Sequence, residues 1–93
     1  MDRRSHIEAR LRAALAAPHV DVVDESHLHA GHAGAASGGG HFRATIVSAR
    51  FEGLSRVARQ RLVYVALAAE MRGEIHALSM QTFTLSEWEK RSR

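Results

Sequence analysis

Apolar residues near the start of the chain follow the spacing of a helix. Between residues 5 and 17 they recur every three or four positions, at Ile7, Leu11, Ala14 and Leu15, which places them on one helical face. Ser5, with Glu8 three residues later, has the pattern of a capping box, and Pro18 stands just beyond the expected end. The pattern predicts a first helix over residues 5–17, with arginines toward solvent.

Two later segments favour β-strands. Residues 19–25 are rich in valine, and residues 41–48 alternate, with Phe42, Ala44 and Ile46 on one side. Residues 26–40 separate them and hold five of the seven glycines together with three histidines. A segment with so little to bury and so much backbone freedom does not favour a packed element. We therefore expect an antiparallel hairpin whose connection is a long mobile loop.

A basic helical region follows the hairpin. Ser55 is its predicted N-cap, and apolar residues recur at helical spacing at Leu54, Ala58, Leu62, Val65 and Ala69. Arg56, Arg59 and Arg61 lie mostly off this stripe. Gly73 is the expected C′ stop. The periodicity fits either one helix or a short helix followed by a longer one.

The last predicted strand spans residues 74–83. One side carries His76, Leu78, Met80 and Thr82, and the other carries Ile75, Ala77, Ser79 and Phe83. Because both sides hold apolar residues, either could face the helices. The polar end of the chain predicts a short turn or helix whose Trp88 folds back as a packing lid.

Composition limits the architecture. Ninety-three residues form one small domain, residues 1–93, and helices on one face of its sheet give a two-layer α+β sandwich. The chain has no cysteine, so it can form neither a disulfide nor a thiolate metal site by itself. No apolar run reaches the roughly 18 residues of a membrane span, and the charged residues Glu8, Arg10 and Arg12 argue against a signal peptide. We interpret the chain as a cytoplasmic protein.

Three segments together resemble the BolA family. They are VDESHLH, HFRATIVSARFEGLSRVARQRLVY and IHALSMQTFTLSEW, in the family's order and spacing from about Val20 to Trp88. The resemblance implies a type II KH-like fold, helix–strand–strand–helix–helix–strand, with a three-stranded mixed sheet and a short C-terminal helix or turn. This order agrees with the elements predicted from periodicity. The loop departs from the family pattern because it is rich in alanine and glycine and carries extra histidines.

The resemblance also implies a partner and a cofactor. BolA-like proteins pair with monothiol glutaredoxins of the CGFS type, and the two chains hold a bridging [2Fe–2S] cluster. The glutaredoxin and a bound glutathione supply thiolates, and the BolA-like chain supplies histidine. The family motif V/I-H-A-L falls on His76, and the family's loop histidine matches His29, with His41 as the alternative second ligand. No cluster is expected in the isolated chain, a monomer or weak dimer.

Histidine ligation suits a chain without cysteine. Neutral imidazole binds iron, and two histidines in place of two thiolates raise the reduction potential of a [2Fe–2S] centre. Ligation then depends on pH, because each imidazole must lose its proton to bind. The resemblance and this chemistry together predict a bacterial, non-enzymatic adaptor in iron–sulfur cluster trafficking or iron regulation, since no nucleophile–base–orienter set is visible.

Two other interpretations remain open at this point. A DNA-binding transcriptional regulator would use the basic helix–turn–helix-like region, with Arg56, Arg59 and Arg61 at phosphates. The G-x-x-G loop of ordinary KH-type RNA binding is absent between the predicted helices. The loop histidines, His27, His29 and His32, have spacing that could bind Zn²⁺, although a loop supplies no second shell to orient them.

Overall fold

Three helices and a three-stranded sheet make up the part of the chain that this computed structural model describes, residues 2–26 and 39–91. In chain order they are α1 (Arg3–Leu15), β1 (His19–Asp24), β2 (Gly40–Val47), α2 (Arg56–Ala66), β3 (Ile75–Phe83) and α3 (Leu85–Arg91). Two single 3-10 turns, Ala49–Phe51 and Glu70–Arg72, flank α2. The first of the two predicted central helices is thus one 3-10 turn, and most of the predicted loop lies outside the described residues.

The sheet is mixed, as predicted. The strand order is β1-β2-β3. β1 pairs with β2 in antiparallel fashion, with His19 opposite Val47 and Asp24 opposite Phe42. β2 pairs with β3 in parallel, which requires the crossover that contains α2. The described part of the predicted hairpin is therefore confirmed, and β1 and β3 are the two edge strands.

A single hydrophobic core joins the helices to the sheet. The apolar side of α1 and the inner sides of β1 and β2 meet there, through Ile7, Leu11, Leu15, Val20, Val22, Phe42, Ala44 and Ile46. Phe51 of the first 3-10 turn is fully buried, and burying an aromatic ring of this size removes a large apolar area from water. The predicted faces of the first helix and of the second strand are confirmed, and so is the two-layer α+β sandwich.

The start of α1 differs from the predicted capping box. The helix begins at Arg3, and Asp2 is its N-cap, with a side-chain oxygen that accepts from the Ser5 backbone N–H at 2.7 Å. Ser5 therefore lies inside the first turn, and Glu8 instead pairs with Arg4 at 3.3 Å. The prediction was wrong because Asp and Ser are equally good caps, and the apolar spacing does not distinguish them.

The end of the basic helix also differs from the prediction. α2 ends at Ala66 with Leu67 as its C-cap, and Gly73 follows the second 3-10 turn with an extended φ of −158°. Gly73 is therefore not a left-handed C′ residue. Leu67 is fully buried, so the chain turns inward there before the helix can extend.

The buried face of α2 overlaps the predicted stripe only in part, because Leu62 packs against the core as predicted. Val63 is fully buried, whereas Val65 is 74% exposed and Val57 is 54% exposed. The helix carries apolar residues on two faces, and spacing alone could not decide which one meets the core. The cap prediction at Ser55 is confirmed, because its hydroxyl accepts from the Ala58 N–H at 3.1 Å.

Candidate functional site

A β-bulge at the start of β3 sets the position of His76. The step from Gly40 to His41 on β2 is matched on β3 by the step from Ile75 to Ala77. His76 is therefore the extra residue of a bulge, which kinks the strand locally. Its side chain is exposed. Bulges of this kind often re-aim a side chain beside a functional site.

The bulge also explains how both sides of the predicted strand contribute to the core. Ile75 is buried in the core, and Leu78 and Met80 pack against the same cluster. In a regular strand Ile75 would point to the side opposite Leu78. One extra residue between them reverses the alternation, which periodicity could not reveal.

His76 lies next to His41 of β2. Their ring centroids are 5.2 Å apart, and the ring planes are tilted by 40°. The backbone of His41 is held on both sides of the residue. Its N–H donates to the hydroxyl of Ser26 at 3.1 Å, and its carbonyl accepts from the Glu25 N–H at 2.8 Å. The two imidazoles are thus presented from neighbouring, ordered strands.

Two glycines permit this close approach. A Cβ atom on Gly39 would lie 2.9 Å from Cβ of His76 and 3.3 Å from the carbonyl oxygen of Gly73. A Cβ atom on Gly40 would lie 2.6 Å from the ring of Phe42. The last glycines of the low-complexity segment therefore serve packing. A cleft of about 220 Å³, lined in part by Gly39 and His76, opens at this point.

The structure places two of the sequence-predicted ligands together. His76 and its alternative partner His41 form the pair just described. His29, the other candidate for second ligand, lies outside the described residues. The same holds for the remaining loop histidines, His27 and His32. The choice between His29 and His41 stays a prediction.

The two described residues on either side of positions 27–38 lie beside this pair. Ser26 at one end bonds to the backbone of His41, and Gly39 at the other end lies against His76. Ser26 and Gly39 therefore both lie next to the histidine pair.

The separation of the two rings fits a shared metal. Two imidazoles bound at about 2 Å to one tetrahedral metal ion would have ring centroids about 5 Å apart, and His41 and His76 are 5.2 Å apart. Within residues 2–26 and 39–91, no group of three or more His, Cys, Asp or Glu side chains could hold a metal ion. A metal ion bound by this pair would need its further ligands from outside these residues.

A buried carboxylate secures the turn that leads into β3. Glu70 is 3% exposed, and its Oε2 lies 2.8 Å from Nε2 of His6 and 3.4 Å from Nε of Arg10. Burial by itself raises the pKa of Glu70, but hydrogen bonds from His6, the backbone and Arg10 outweigh it and leave the pKa below its ordinary value. α1 thereby anchors the segment that precedes His76.

Arg59 has a structural role at the other end of β3. Its guanidinium donates to both carboxylate oxygens of Glu87, at 2.7 and 3.2 Å, and to the carbonyls of Leu54 and Thr82 at 3.0 and 3.3 Å. The hydrogen bonds from Arg59 and from the Thr84 backbone lower the pKa of Glu87 to about 2. Arg59 is therefore poorly placed to contact a phosphate, which is the role that the DNA-binding alternative assigned to it.

Arg56 and Arg61 differ from Arg59. Both are exposed on α2, and neither forms an ion pair with another residue of 2–26 or 39–91. They are the two predicted nucleic-acid residues that remain open to a ligand. Solvated arginines of this kind are also common on helix faces that bind nothing.

The short α3 covers one end of the outer face of the sheet. Its Trp88 stacks on His19 with ring centroids 4.8 Å apart and contacts Phe83 at 5.3 Å. The predicted packing lid is confirmed. No helix within the described ranges is both long and apolar enough to cross a bilayer.

Sequence reasoning missed three features of this region: the bulge at His76, the Glu70 cluster and the structural role of Arg59. The glycine pair at 39–40 could have indicated the first, since glycine inside a strand often marks a bulge or a close approach. The other two join residues that are far apart in the chain, by 64 positions for His6 and Glu70 and by 28 for Arg59 and Glu87. No local signal points to them.

Fold and site define a small α+β domain with KH-like element order and two neighbouring histidines at one end of a mixed sheet. A family model described as BolA-like protein matches residues 11–87. The Escherichia coli (strain K12) protein named DNA-binding transcriptional regulator BolA is 43% identical over 86 residues, covering 92% of this chain and 79% of that protein. Human BolA-like protein 1 is 41% identical over 87 residues, covering 94% of this chain and 61% of the human protein.

Solved structures agree with these relatives. The crystal structure of a bol-like protein from Babesia bovis superposes with a TM-score of 0.80 at 42% identity, covering 100% of this chain and 96% of that chain. This chain belongs to the BolA-like family. Its relatives include bacterial and eukaryotic proteins, so family membership does not assign it to bacteria.

Proposed function

We propose that this chain is a non-enzymatic adaptor that pairs with a monothiol glutaredoxin of the CGFS type and supplies histidine ligands to a bridging [2Fe–2S] cluster. The observation that carries the proposal is the pair of imidazoles on neighbouring strands, 5.2 Å apart. A chain without cysteine can bind iron of such a cluster through imidazole, with thiolates from its partner and from glutathione. Its role would be in cluster trafficking or iron regulation.

The two imidazoles would have different roles. His76 is exposed on the bulge, so a partner can reach it without rearrangement of the strand. His41 is half-buried and held through its backbone. His29 is also a candidate for second ligand, because it matches the loop histidine of the family pattern. When bound, the cluster would supply a redox-active iron, and the protein's part is to present neutral imidazoles to it.

Reconstitution tests this proposal directly. The chain is mixed with a CGFS glutaredoxin, glutathione, iron and sulfide, and visible absorption and circular dichroism are recorded. His76→Ala should remove or strongly shift the cluster bands, because the exposed ligand is lost. His41→Ala and His29→Ala are compared next, and whichever changes the spectrum identifies the second ligand.

His19→Ala is the matched control, since His19 lies at the far end of β1, against Trp88. Its spectrum should equal that of the unmodified chain. If His76→Ala gives the unmodified spectrum, His76 is not a ligand and the proposed mechanism fails.

A second candidate function is DNA binding in transcriptional control. The Escherichia coli relative carries that description in its name, and Arg56 and Arg61 are exposed on α2 without ion-pair partners among the described residues. Phosphate contacts should dominate affinity. Replacing both arginines by alanine should weaken DNA binding and reduce its salt dependence. Unchanged binding and an unchanged salt slope would exclude this surface as the DNA contact.

A further inference from the structure

β3 has one unused edge. Within the described part of the chain the sheet order is β1-β2-β3, so β3 pairs on one side, with β2. The strand is nine residues long. An edge of this length presents unpaired backbone groups, and proteins usually shorten or cover such edges.

The direction of the backbone groups on this edge follows from two hydrogen bonds. The carbonyl of Phe83 accepts from the Ser48 N–H at 3.0 Å and so faces β2. The carbonyl of Thr82 accepts from the Arg59 guanidinium at 3.3 Å and so faces away from β2. Because the backbone groups alternate along a strand, those of Leu78 and Met80 also face outward. Arg59 occupies the end of this row and leaves the middle open.

A groove of about 500 Å³ runs along the same edge. Its lining consists of Arg56, Gln60, Met80, Gln81, Thr82, Phe83 and Arg91. The lining combines one side of α2 with the edge strand and the last turn of α3. A second cleft of about 380 Å³ continues along the outer face of β3 and shares Arg91. The open backbone row thus lies inside a groove.

The charge of this groove is positive. Arg56 borders it from α2 and Arg91 borders it from α3, and neither forms an ion pair with another residue of 2–26 or 39–91. Arg91 is positioned by a 3.3 Å hydrogen bond to Gln81 and lies 5.0 Å from the ring centroid of Phe83. The carboxylate of the adjoining cleft, Glu87, is already bound to Arg59. An anionic ligand would therefore meet two guanidinium groups that have no carboxylate partner within the described residues.

We propose that the open edge of β3 binds an extended, acidic peptide segment of a partner protein as a fourth strand. Main-chain hydrogen bonds to Leu78 and Met80 would give affinity, and the two arginines would select carboxylates. Neighbouring residues of a strand point to opposite faces. Two adjacent acidic residues would therefore reach Arg56 and Arg91, one on each side of the sheet. This surface is separate from the histidine pair and independent of the proposed cluster function.

The groove favours a peptide over single-stranded nucleic acid. Nucleic acid bound without pairing relies on bases that stack on exposed aromatic rings. Phe83 is the aromatic residue of this groove, and Trp88 and Arg91 already contact its ring. The open backbone row of β3, by contrast, is a feature that only another strand uses.

A synthetic peptide tests the proposal on the intact protein. The probe has about nine residues, the length of a typical strand, with two adjacent glutamates at its centre and valine and threonine around them. We expect titration with the peptide to shift the backbone amide signals of Leu78, Met80 and Thr82. We also expect cross-strand nuclear Overhauser effects between β3 and the peptide. N-methylation of the peptide amides that face β3 should weaken binding by about tenfold or more. Each methyl group removes an N–H donor and leaves a carbonyl of β3 without its hydrogen bond.

Charge reversal provides the second arm. Arg56→Glu and Arg91→Glu should each weaken binding of the acidic peptide by about tenfold. Arg61→Glu is the matched control, because it makes the same charge change on α2 outside the groove. Its affinity for the peptide should stay within about twofold of that of the unmodified chain, since salt screens charges at longer range. Equal losses in all three variants would show a general charge effect and overturn the proposal.

Two further results would also overturn it. Unchanged affinity of the N-methylated peptide would show that β3 is not used as a strand edge. Tighter binding of an oligothymidylate of equal charge, with shifts on the same amides, would assign the groove to nucleic acid.

Discussion

The two ends of β3 use charged and polar side chains in opposite ways. At the end that joins α3, Arg59 is 13% exposed and bonds to Glu87 and two carbonyls, while Trp88 covers Phe83. At the beginning, the bulge leaves His76 exposed beside His41. One end meets its hydrogen-bonding needs within the chain, and the other presents the exposed imidazole of His76 beside the half-buried His41. Arg59 therefore holds the fold, whereas His76 is exposed to a ligand, although the sequence marks both as candidates.

The largest expected effect on stability is at the closed end. Arg59→Ala removes charge-assisted hydrogen bonds and leaves carbonyls of Leu54 and Thr82 without this donor, so we expect a loss of about 2–3 kcal/mol. Denaturant unfolding measures it. Cluster absorption with glutaredoxin should be unchanged at temperatures where the variant is folded. Arg61→Ala, an exposed control on the same helix, should change stability by less than about 0.5 kcal/mol.

A smaller loss of stability with a specific functional effect is expected at the open end. Gly39→Ala places a Cβ atom 2.9 Å from Cβ of His76 and against backbone atoms. We expect a loss of about 1–2 kcal/mol as the strands shift apart, and an altered cluster spectrum because the two imidazoles move. The NMR signals of the His41 and His76 rings should shift, whereas those of Trp88 should not. An unaltered ring pair would show that this glycine does not set the site.

Glu70→Gln removes the charge of the Glu70 cluster and should lower the free energy of unfolding by about 1–2 kcal/mol at neutral pH. Hydrogen bonds from His6 and Arg10 lower the pKa of Glu70 in the folded state. The unfolded state therefore takes up the proton first as pH falls, and the stabilisation is present above the ordinary pKa and disappears at lower pH. Unfolding curves of the two proteins should differ at pH 7 and converge in acid. A constant difference across pH would exclude the carboxylate charge as the cause.

The smallest effect is expected for Glu87→Gln. The pKa of Glu87 in the folded state is about 2, against an ordinary pKa of 4.5. Its contribution to the free energy of unfolding is therefore complete above pH 4.5 and is lost as pH falls toward 2. Its side chain is 48% exposed, and solvent screening limits the contribution to about 0.5–1 kcal/mol. Thermal unfolding between these pH values measures it, with Glu52→Gln, an exposed glutamate outside this helix, as the control. If both variants give the same pH dependence, the Arg59 pair is not responsible.

Much of the fold could be predicted from local patterns. The two-residue period of β2 placed Phe42, Ala44 and Ile46 on the buried side, and helical spacing did the same for Ile7, Leu11 and Leu15. For α2 the same method was right for Leu62, which packs against the core, and wrong for Val65, which is 74% exposed. The family resemblance identified His76 and proposed His41 as one of two partners. It could not show that a bulge brings these two rings to 5.2 Å.

The sequence by itself determined the order of elements, the two-layer class and the absence of thiolate chemistry, because these depend on short-range periodicity and residue type. Its resemblance to the BolA family indicated which histidines to test. Only the tertiary structure decided which charged residues are already bound. Arg59 and Glu87, and His6 and Glu70, meet through chain crossings that no local spacing encodes. It also decided that β3 begins with a bulge and keeps an open edge, since strand register depends on how the whole sheet packs on the helices.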